Sequence, residues 1–196
     1  MAKSASKSKR AERPNQILQA ATKIIGQHGY YGFSIQSLAD ACGLTVAGIL
    51  HHFGSKEAIL IAVLKHHDER DFDVIWRGIA IGDASVLEAL SLSEIKSRLR
   101  TTMLHNSRQP NIMRLVSMLR TEALYPSHPA YKYFQQRHDS AIQALTTMLA
   151  GKVPSPDRRA LLVAALIVGL DNIWLDRKRK FDLAEYWDEA IEKILG

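Results

Sequence analysis

Cysteine is nearly absent from this sequence. The single Cys42 among 196 residues excludes a disulfide scaffold and a four-cysteine zinc site, and makes a reducing, cytoplasmic setting the expected one. Eleven glycines and six prolines are too few for a collagen-like or linker-like chain. The lysine- and serine-rich start, Met1 to Arg10, has no apolar stretch behind it, so no secretory signal is read there. The longest unbroken apolar run, Ala160 to Leu170, has 11 residues, well short of the roughly 20 that span a bilayer, and no membrane is expected as a partner. A nucleophile-elbow motif, a phosphate-cradling glycine loop and a His-Glu-x-x-His helix are all missing. The expectation is therefore neither enzyme nor cofactor.

What the sequence does have is apolar content for a core, 46%, and a positive charge that is unevenly placed. Residues 1–56 hold seven Lys/Arg against two acidic residues, a balance of +5, whereas residues 57–196 hold 19 against 18, or +1. A basic module on a near-neutral body implies that one end meets a polyanion while the other does different work. The alternative is a solubilising tail, since Lys3, Lys7, Lys9 and Arg10 lie in a stretch too polar to fold alone.

Apolar residues recur at spacings of three and four almost throughout, so the chain is read as all-α, with about nine helices. The first starts at Pro14, presents Ile17, Leu18, Ala21, Ile24 and Ile25, and stops at Gly29. Ser34 then caps a short helix with Phe33 stapled to Leu38, and Thr45 caps another with Leu44 stapled to Ile49. Ser55 caps a longer helix running to about Ile79. Further helices are expected over Val86–His105, from Pro110 to Tyr125-Pro126, over Pro129–Ala150, from a Ser155 cap with Pro156 at N1 to Asp176, and from an Asp182–Glu185 capping box to the end. The helix containing Ala160 to Leu170 is apolar all round. Burial on one face does not account for that: such a helix is covered on more than one face, either inside its own subunit or partly by a second one.

Two helices of about eight residues around Cys42-Gly43-Leu44 are each too short to stand alone. They make sense packed on the first helix through Leu38, Ala39, Ile49 and Phe53, with the second helix facing outward as in a helix-turn-helix. The residues Ile17-Leu18-Gln19-Ala20-Ala21, Gly29-Tyr30, Ser34, Leu38 to Thr45 and Leu50 to Leu60 resemble the TetR family of bacterial regulators over about residues 13–64. The resemblance implies a homodimer that binds a palindromic double-stranded DNA operator, usually as a repressor, and is released by a small-molecule effector whose identity the sequence leaves open. It also implies a division into a disordered basic arm (1–12), a helix-turn-helix domain (13–56) and a ligand-binding and dimerisation domain (57–196), with the helix from 55 to about 79 as connector.

Carried onto this chain, Thr45 matches the start of the recognition helix, with Val46, Ala47 and Gly48 at its outward early positions. None of these three offers a guanidinium or amide, so base reading is expected to lean on methyl contacts, close backbone approach and DNA shape. His51 and His52 lie near the helix end, and Lys56 matches a phosphate-holding lysine. Leu50 departs from the family's frequent tyrosine, removing one phosphate hydrogen bond. Ser34, Gln36 and Ser37 are candidate contacts from the preceding helix, and Arg10 and Arg13 are candidates for an adjacent minor groove.

In the body, Met103, Leu104, Met113, Met118, Leu119, Tyr125, Tyr131, Phe134 and Met148 read either as ordinary core or as the wall of an apolar pocket, to which Asn172 and Trp174 add a polar contact and a flat surface. Leu161, Ala165, Val168, Leu175, Tyr186, Trp187 and Ile191 are the candidate dimer contacts. His51-His52 and His66-His67-Asp68 do not read as a metal site, because adjacent helical residues point about 100° apart. Alternative readings are an activator or corepressor-dependent regulator of the same fold, a helical interaction protein without DNA binding, and a small-molecule hydrolase.

Overall fold

The computed structural model describes the backbone of residues 2–76 and 82–196, and side chains from Arg13 onward within those segments. Ten helices occur among the described residues: α1 (Ala2–Gly32), α2 (Ile35–Cys42), α3 (Val46–Phe53), α4 (Lys56–Ile75), α5 (Ala84–Ala89), α6 (Leu92–Arg108), α7 (Pro110–Glu122), α8 (Tyr131–Leu149), α9 (Pro156–Asp176) and α10 (Leu183–Leu195). The all-α expectation holds. No single described helix is long and apolar enough to cross a membrane. The bent pair α3 and α4, at 58°, passes that test by length and composition, with Ile49, Ile59, Leu60 and Val63 buried in the protein itself.

The chain forms two compact units, residues 1–69 with 114–132 and residues 70–113 with 133–196. In the first unit α1 buries Ile17, Leu18, Ala21 and Ile25 on one stripe, α2 buries Leu38 and Ala39, and α3 buries Ile49. The first fourteen residues of α4 contribute Ile59, Leu60, Val63 and Leu64, and α7 contributes Leu115, Val116 and Leu119. Thr22 Oγ1 and His67 Nε2, 3.2 Å apart, join α1 to α4.

The second unit is built round Leu87, Ile95, Leu99, Met103, Met148, Val163, Trp174 and Trp187. Lys96–Glu192 at 2.7 Å and Arg100–Asp188 at 2.8 Å tie the exposed edges of α6 and α10 together. Asn106 Nδ2 donates to Asp171 Oδ2 at 2.8 Å between α6 and α9, so this buried carboxyl group enters an apolar core hydrogen-bonded.

Three expectations are corrected. Helix α1 extends back through residues 2–12 instead of beginning at Pro14 after a disordered arm. Ala, Lys, Arg and Glu there are strong helix formers, and a proline inside the helix removes one backbone bond without ending it. The single helix expected over Val86–His105 is two, because Ser91 starts a new one in a reciprocal capping box with Glu94. Ser155 does precede Pro156 at N1 but makes no side-chain cap bond, since it sits at φ 50°, ψ 62°, away from the extended backbone that aims a cap oxygen at the helix N–H groups. The expected connector end at about Ile79 lies outside the described residues.

Candidate nucleic-acid interface

The helix-turn-helix is assembled by local chemistry. Ser34 Oγ accepts from Ser37 N at 3.0 Å while Ser37 Oγ accepts from Ser34 N, so α2 begins in a capping box. It ends at Gly43, φ 61°, whose N–H donates to the carbonyls of Ala39 and Asp40. A left-handed residue suits glycine here, turning the chain sharply toward α3. Thr45 Oγ1 accepts from Gly48 N at 3.0 Å, and Ser55 Oγ accepts from Ala58 N at 3.1 Å to open α4. All three hydroxyl caps stand where the spacing places them.

Packing then divides each short helix by face. On α3, Ile49 is fully buried, Val46, Gly48 and Leu50 are half-buried, and Ala47, His51 and His52 are exposed. The Thr45 hydroxyl, exposed and already accepting from Gly48, keeps its proton to donate outward. Alanine at Gly48 would bring a Cβ to 3.3 Å from Thr45 Oγ1, so glycine keeps the start of α3 slim. On α2, exposed Gln36 donates to Asp40 Oδ1 at 2.8 Å. Ser34 and Ser37 hydrogen-bond to each other, so both already have a structural role. Arg13 is half-buried, and its charge opposes the rise that burial imposes on the Cys42 thiol pKa. The side chain of Arg10 lies outside the described residues.

Lys56 is not loose in solvent. Its ammonium sits 4.5 Å from the Tyr30 ring centroid and 5.6 Å from that of Phe33, within reach of both π faces. The Tyr30 hydroxyl donates to Glu57 Oε1 at 2.9 Å. Burial first, then the Glu57 carboxylate, pushes the Tyr30 phenol pKa up. Glu57 is held below the usual carboxylate range by its own backbone N–H and then by the Tyr30 and Ser55 hydroxyls. The sequence alone assigns no role in the interface to Tyr30 or Glu57. The signal was the Lys56-Glu57 pair opposite an aromatic, and only the fold shows which aromatic that is.

The residues proposed for a pocket are not brought into one unit. Met118, Leu119, Tyr125 and Tyr131 belong to the first, and Met103, Leu104, Met113, Phe134, Met148, Asn172 and Trp174 to the second. Met103, Met148 and Trp174 are members of the second unit's core. Tyr125 is 72% exposed and Asn172 is exposed too, so neither is the wall of an enclosed cavity: the Tyr125-Pro126 turn and the outer face of α9 point them to solvent. An open groove of about 470 Å³ lies among Lys180, Phe181, Asp182, Glu185, Tyr186 and Glu189 and shares no residue with the expected set. Among the described residues no group of three or more His, Cys, Asp or Glu side chains is placed to hold a metal.

The expected dimer contacts divide by face. Leu161 and Tyr186 are 57% and 53% exposed, Ala165 is exposed, and Val168 and Leu175 are half-buried. Trp187 and Ile191, at 0% and 3%, are buried in the core of their own unit. They follow Leu183 at helical spacing and precede Leu195, so they lie on the inner stripe of α10 and not on a surface a partner can reach. Leu162 and Ile173, which sequence reading did not single out, are 50% and 53% exposed on α9.

Residues 17–63 match the family described as bacterial regulatory proteins, tetR family. The HTH-type transcriptional repressor AcnR of Corynebacterium glutamicum is 33% identical over 60 residues, 31% of this chain and 32% of that protein. AcnR of Corynebacterium efficiens is 30% identical over 95 residues, 44% of this chain and 50% of that one. The matched part of the chain thus spans 32% to 50% of the length of these relatives. Over its whole length the fold is like that of NalD, the secondary repressor of the MexAB-OprM multidrug efflux pump in Pseudomonas aeruginosa. The TM-score is 0.73 at 19% identity, covering 96% of this chain and 98% of that one.

Proposed function

With residues 17–63 forming a TetR-family helix-turn-helix domain as the starting point, we propose that this protein is a sequence-specific DNA-binding transcriptional regulator. It acts as a homodimeric repressor on a palindromic operator, in the cytoplasm, and is released by a small, mostly apolar effector. The observation that carries the reading is the two-sidedness of α3: Ile49 is fully buried, while the Thr45-capped start and the face with Ala47, His51 and His52 are exposed. A helix held this way presents donors and a narrow backbone to a groove, and the positive balance of residues 1–56 suits a polyanion.

Lys56 is the phosphate contact in this reading, with Thr45 a second. Val46, Ala47 and Gly48 read bases by methyl and backbone approach, and Arg13 and Arg10 are the candidates for an adjacent minor groove. Residues 13–56 form the reading head and 57–196 the sensing and dimerisation body. The exposed apolar face of α9, with Leu161, Ala165 and Ile173, and Tyr186 on α10 pairs with its twofold copy. Substituting alanine for Lys56 weakens binding to operator and random duplex alike and makes the salt dependence shallower. Thr45→Ala or Gly48→Ala changes which operator is preferred.

Duplex titrations at several salt concentrations test this, and an unchanged slope for Lys56→Ala rejects its phosphate role. An effector acts only by binding one arrangement of the two heads better than the other. Saturating effector is therefore expected to lower operator affinity, whereas tighter binding on its addition assigns the chain to the activator or corepressor class.

A further inference from the structure

Lys56 is aimed by a chain of contacts that ends on α7. Beside the cation–π contact, the Tyr30 N–H donates to Glu122 Oε2 at 3.3 Å. That N–H is presented by Gly29, which breaks α1 at φ 70°, ψ 178°. A Cβ on Gly29 would fall 2.6 Å from Glu122 Oε1, so glycine is required both for the backbone angle and for the close approach of the carboxylate. The other flank of Tyr30 is closed by His128, whose ring centroid is 5.3 Å away and whose Nε2 is 3.4 Å from Glu122 Oε2. The phenol is tied at its far end to Glu57. Tyr30 is thus fixed at its backbone, its ring face and its hydroxyl, and its ring in turn fixes the ammonium of a residue with four rotatable side-chain bonds.

We propose that Tyr30 is a positioning residue for DNA binding, holding the Lys56 ammonium ready for phosphate, and that Glu122 fixes Tyr30, so that the last turn of α7 sets the grip of the reading head. This rests on the phosphate role given to Lys56 above. A lysine free in solvent loses rotamer freedom when it meets a phosphate. One already held over a ring loses less, and its remaining N–H groups stay free to donate. The hydroxyl bond keeps Glu57 turned onto Tyr30 rather than toward an approaching phosphate. Movement of the end of α7 removes the acceptor from the Tyr30 N–H and loosens the ring beneath Lys56.

The test compares Tyr30→Phe, Tyr30→Leu, Glu122→Ala and Lys56→Ala in the full chain, each checked for folding by circular dichroism. Two readouts are used: the salt slope of binding to a random duplex, and the ring-current shift of the Lys56 ε-methylene protons in the DNA-free protein. In Tyr30→Leu the ring-current shift shrinks to the smaller contribution of the more distant Phe33 ring, affinity falls about 2- to 5-fold per head, and the salt slope drops toward that of Lys56→Ala. Tyr30→Phe, which keeps the ring, keeps the shift, and its binding to any duplex falls less than that of Tyr30→Leu, through the Glu57 carboxylate that the lost hydroxyl no longer holds. Glu122→Ala weakens binding to any duplex, and combining it with Lys56→Ala adds nothing further.

A folded Tyr30→Leu with wild-type slope and shift overturns the inference, as does full additivity of Glu122→Ala with Lys56→Ala. Should Tyr30→Leu not fold, the Glu122–Lys56 cycle and the shift in Glu122→Ala decide. Wild-type protein with no salt-dependent duplex binding overturns the regulator reading itself, and this inference with it.

Discussion

Helices α3 and α9 both leave one face uncovered, and the two faces differ in chemistry. On α3 the exposed positions are Ala47, in the first turn capped by exposed Thr45, and His51 and His52 in the last turn. On α9 they are Leu161, Leu162, Ala165 and Ile173. Small and polar groups at a helix start lose little by remaining hydrated and can meet a charged backbone, whereas a run of half-exposed aliphatics is stabilised only when another apolar surface covers it. Uncovered faces therefore carry information about the partner: the first suits a nucleic acid, the second a like subunit.

Substitutions sharpen that contrast, and the largest effect separates inner from outer stripe. Trp187→Ala is expected to destabilise the fold by about 3–5 kcal/mol in denaturant unfolding, while Tyr186→Ala, one residue away on the exposed side, costs about 0.5–1.5 kcal/mol through the lost ring contact with Phe181. Equal losses would mean that the two faces of α10 are not distinct. Leu161→Glu with Ile173→Glu leaves the monomer folded but weakens self-association by roughly 2–3 kcal/mol for the apolar burial forgone, read by sedimentation at several protein concentrations. An unchanged association constant would remove the α9 face from the dimer.

At the reading head, Gly29→Ala is expected to lose about 1–3 kcal/mol, because it combines a left-handed angle with a clash against Glu122. Thr45→Ala costs about 1 kcal/mol through the lost cap, whereas Ser155→Ala, at a cap position without a cap bond, stays within about 0.5 kcal/mol. Thermal unfolding of the two variants side by side checks the difference.

A pH effect belongs to the same region. Burial lowers the pKa of His128 in the folded protein, against the opposing pull of Glu122, and the side chain is fully enclosed. The unfolded chain then binds a proton more readily than the folded one, so stability is full above the ordinary histidine range and is lost as pH falls through it toward the lower folded value. Unfolding followed from about pH 8 to about pH 5 should show that loss, and His128→Gln should flatten it; a profile identical in both proteins would assign the titration elsewhere.

Much of the head was legible because its determinants are local. Ser34, Thr45 and Ser55 each bond to a backbone N–H three residues on, and Asp182 caps α10 through the N–H groups of Ala184 and Glu185. The Phe181–Tyr186 staple, with ring centroids 4.7 Å apart, is equally local. The Ser91–Glu94 box is the same kind of local signal, masked in the sequence by an apolar period that runs on across it. What the sequence does not reveal is long-range choice of neighbour. Tyr30 and Glu122 are 92 residues apart, and nothing in either segment names the other. Trp187 was placed on the wrong surface for a related reason: apolarity says that a side chain is covered, while only the inner stripe of Leu183, Trp187, Ile191 and Leu195 says by what.

The outward-reading role of α3 is tested most directly by selecting bound duplexes from a random pool with the wild-type protein at low salt. The account predicts enrichment of an inverted repeat with half-sites about one helical turn, roughly 34 Å, apart, and loss of that enrichment in Thr45→Ala or Gly48→Ala. A pool that stays random, or one whose enrichment is unaffected by either substitution, would contradict it.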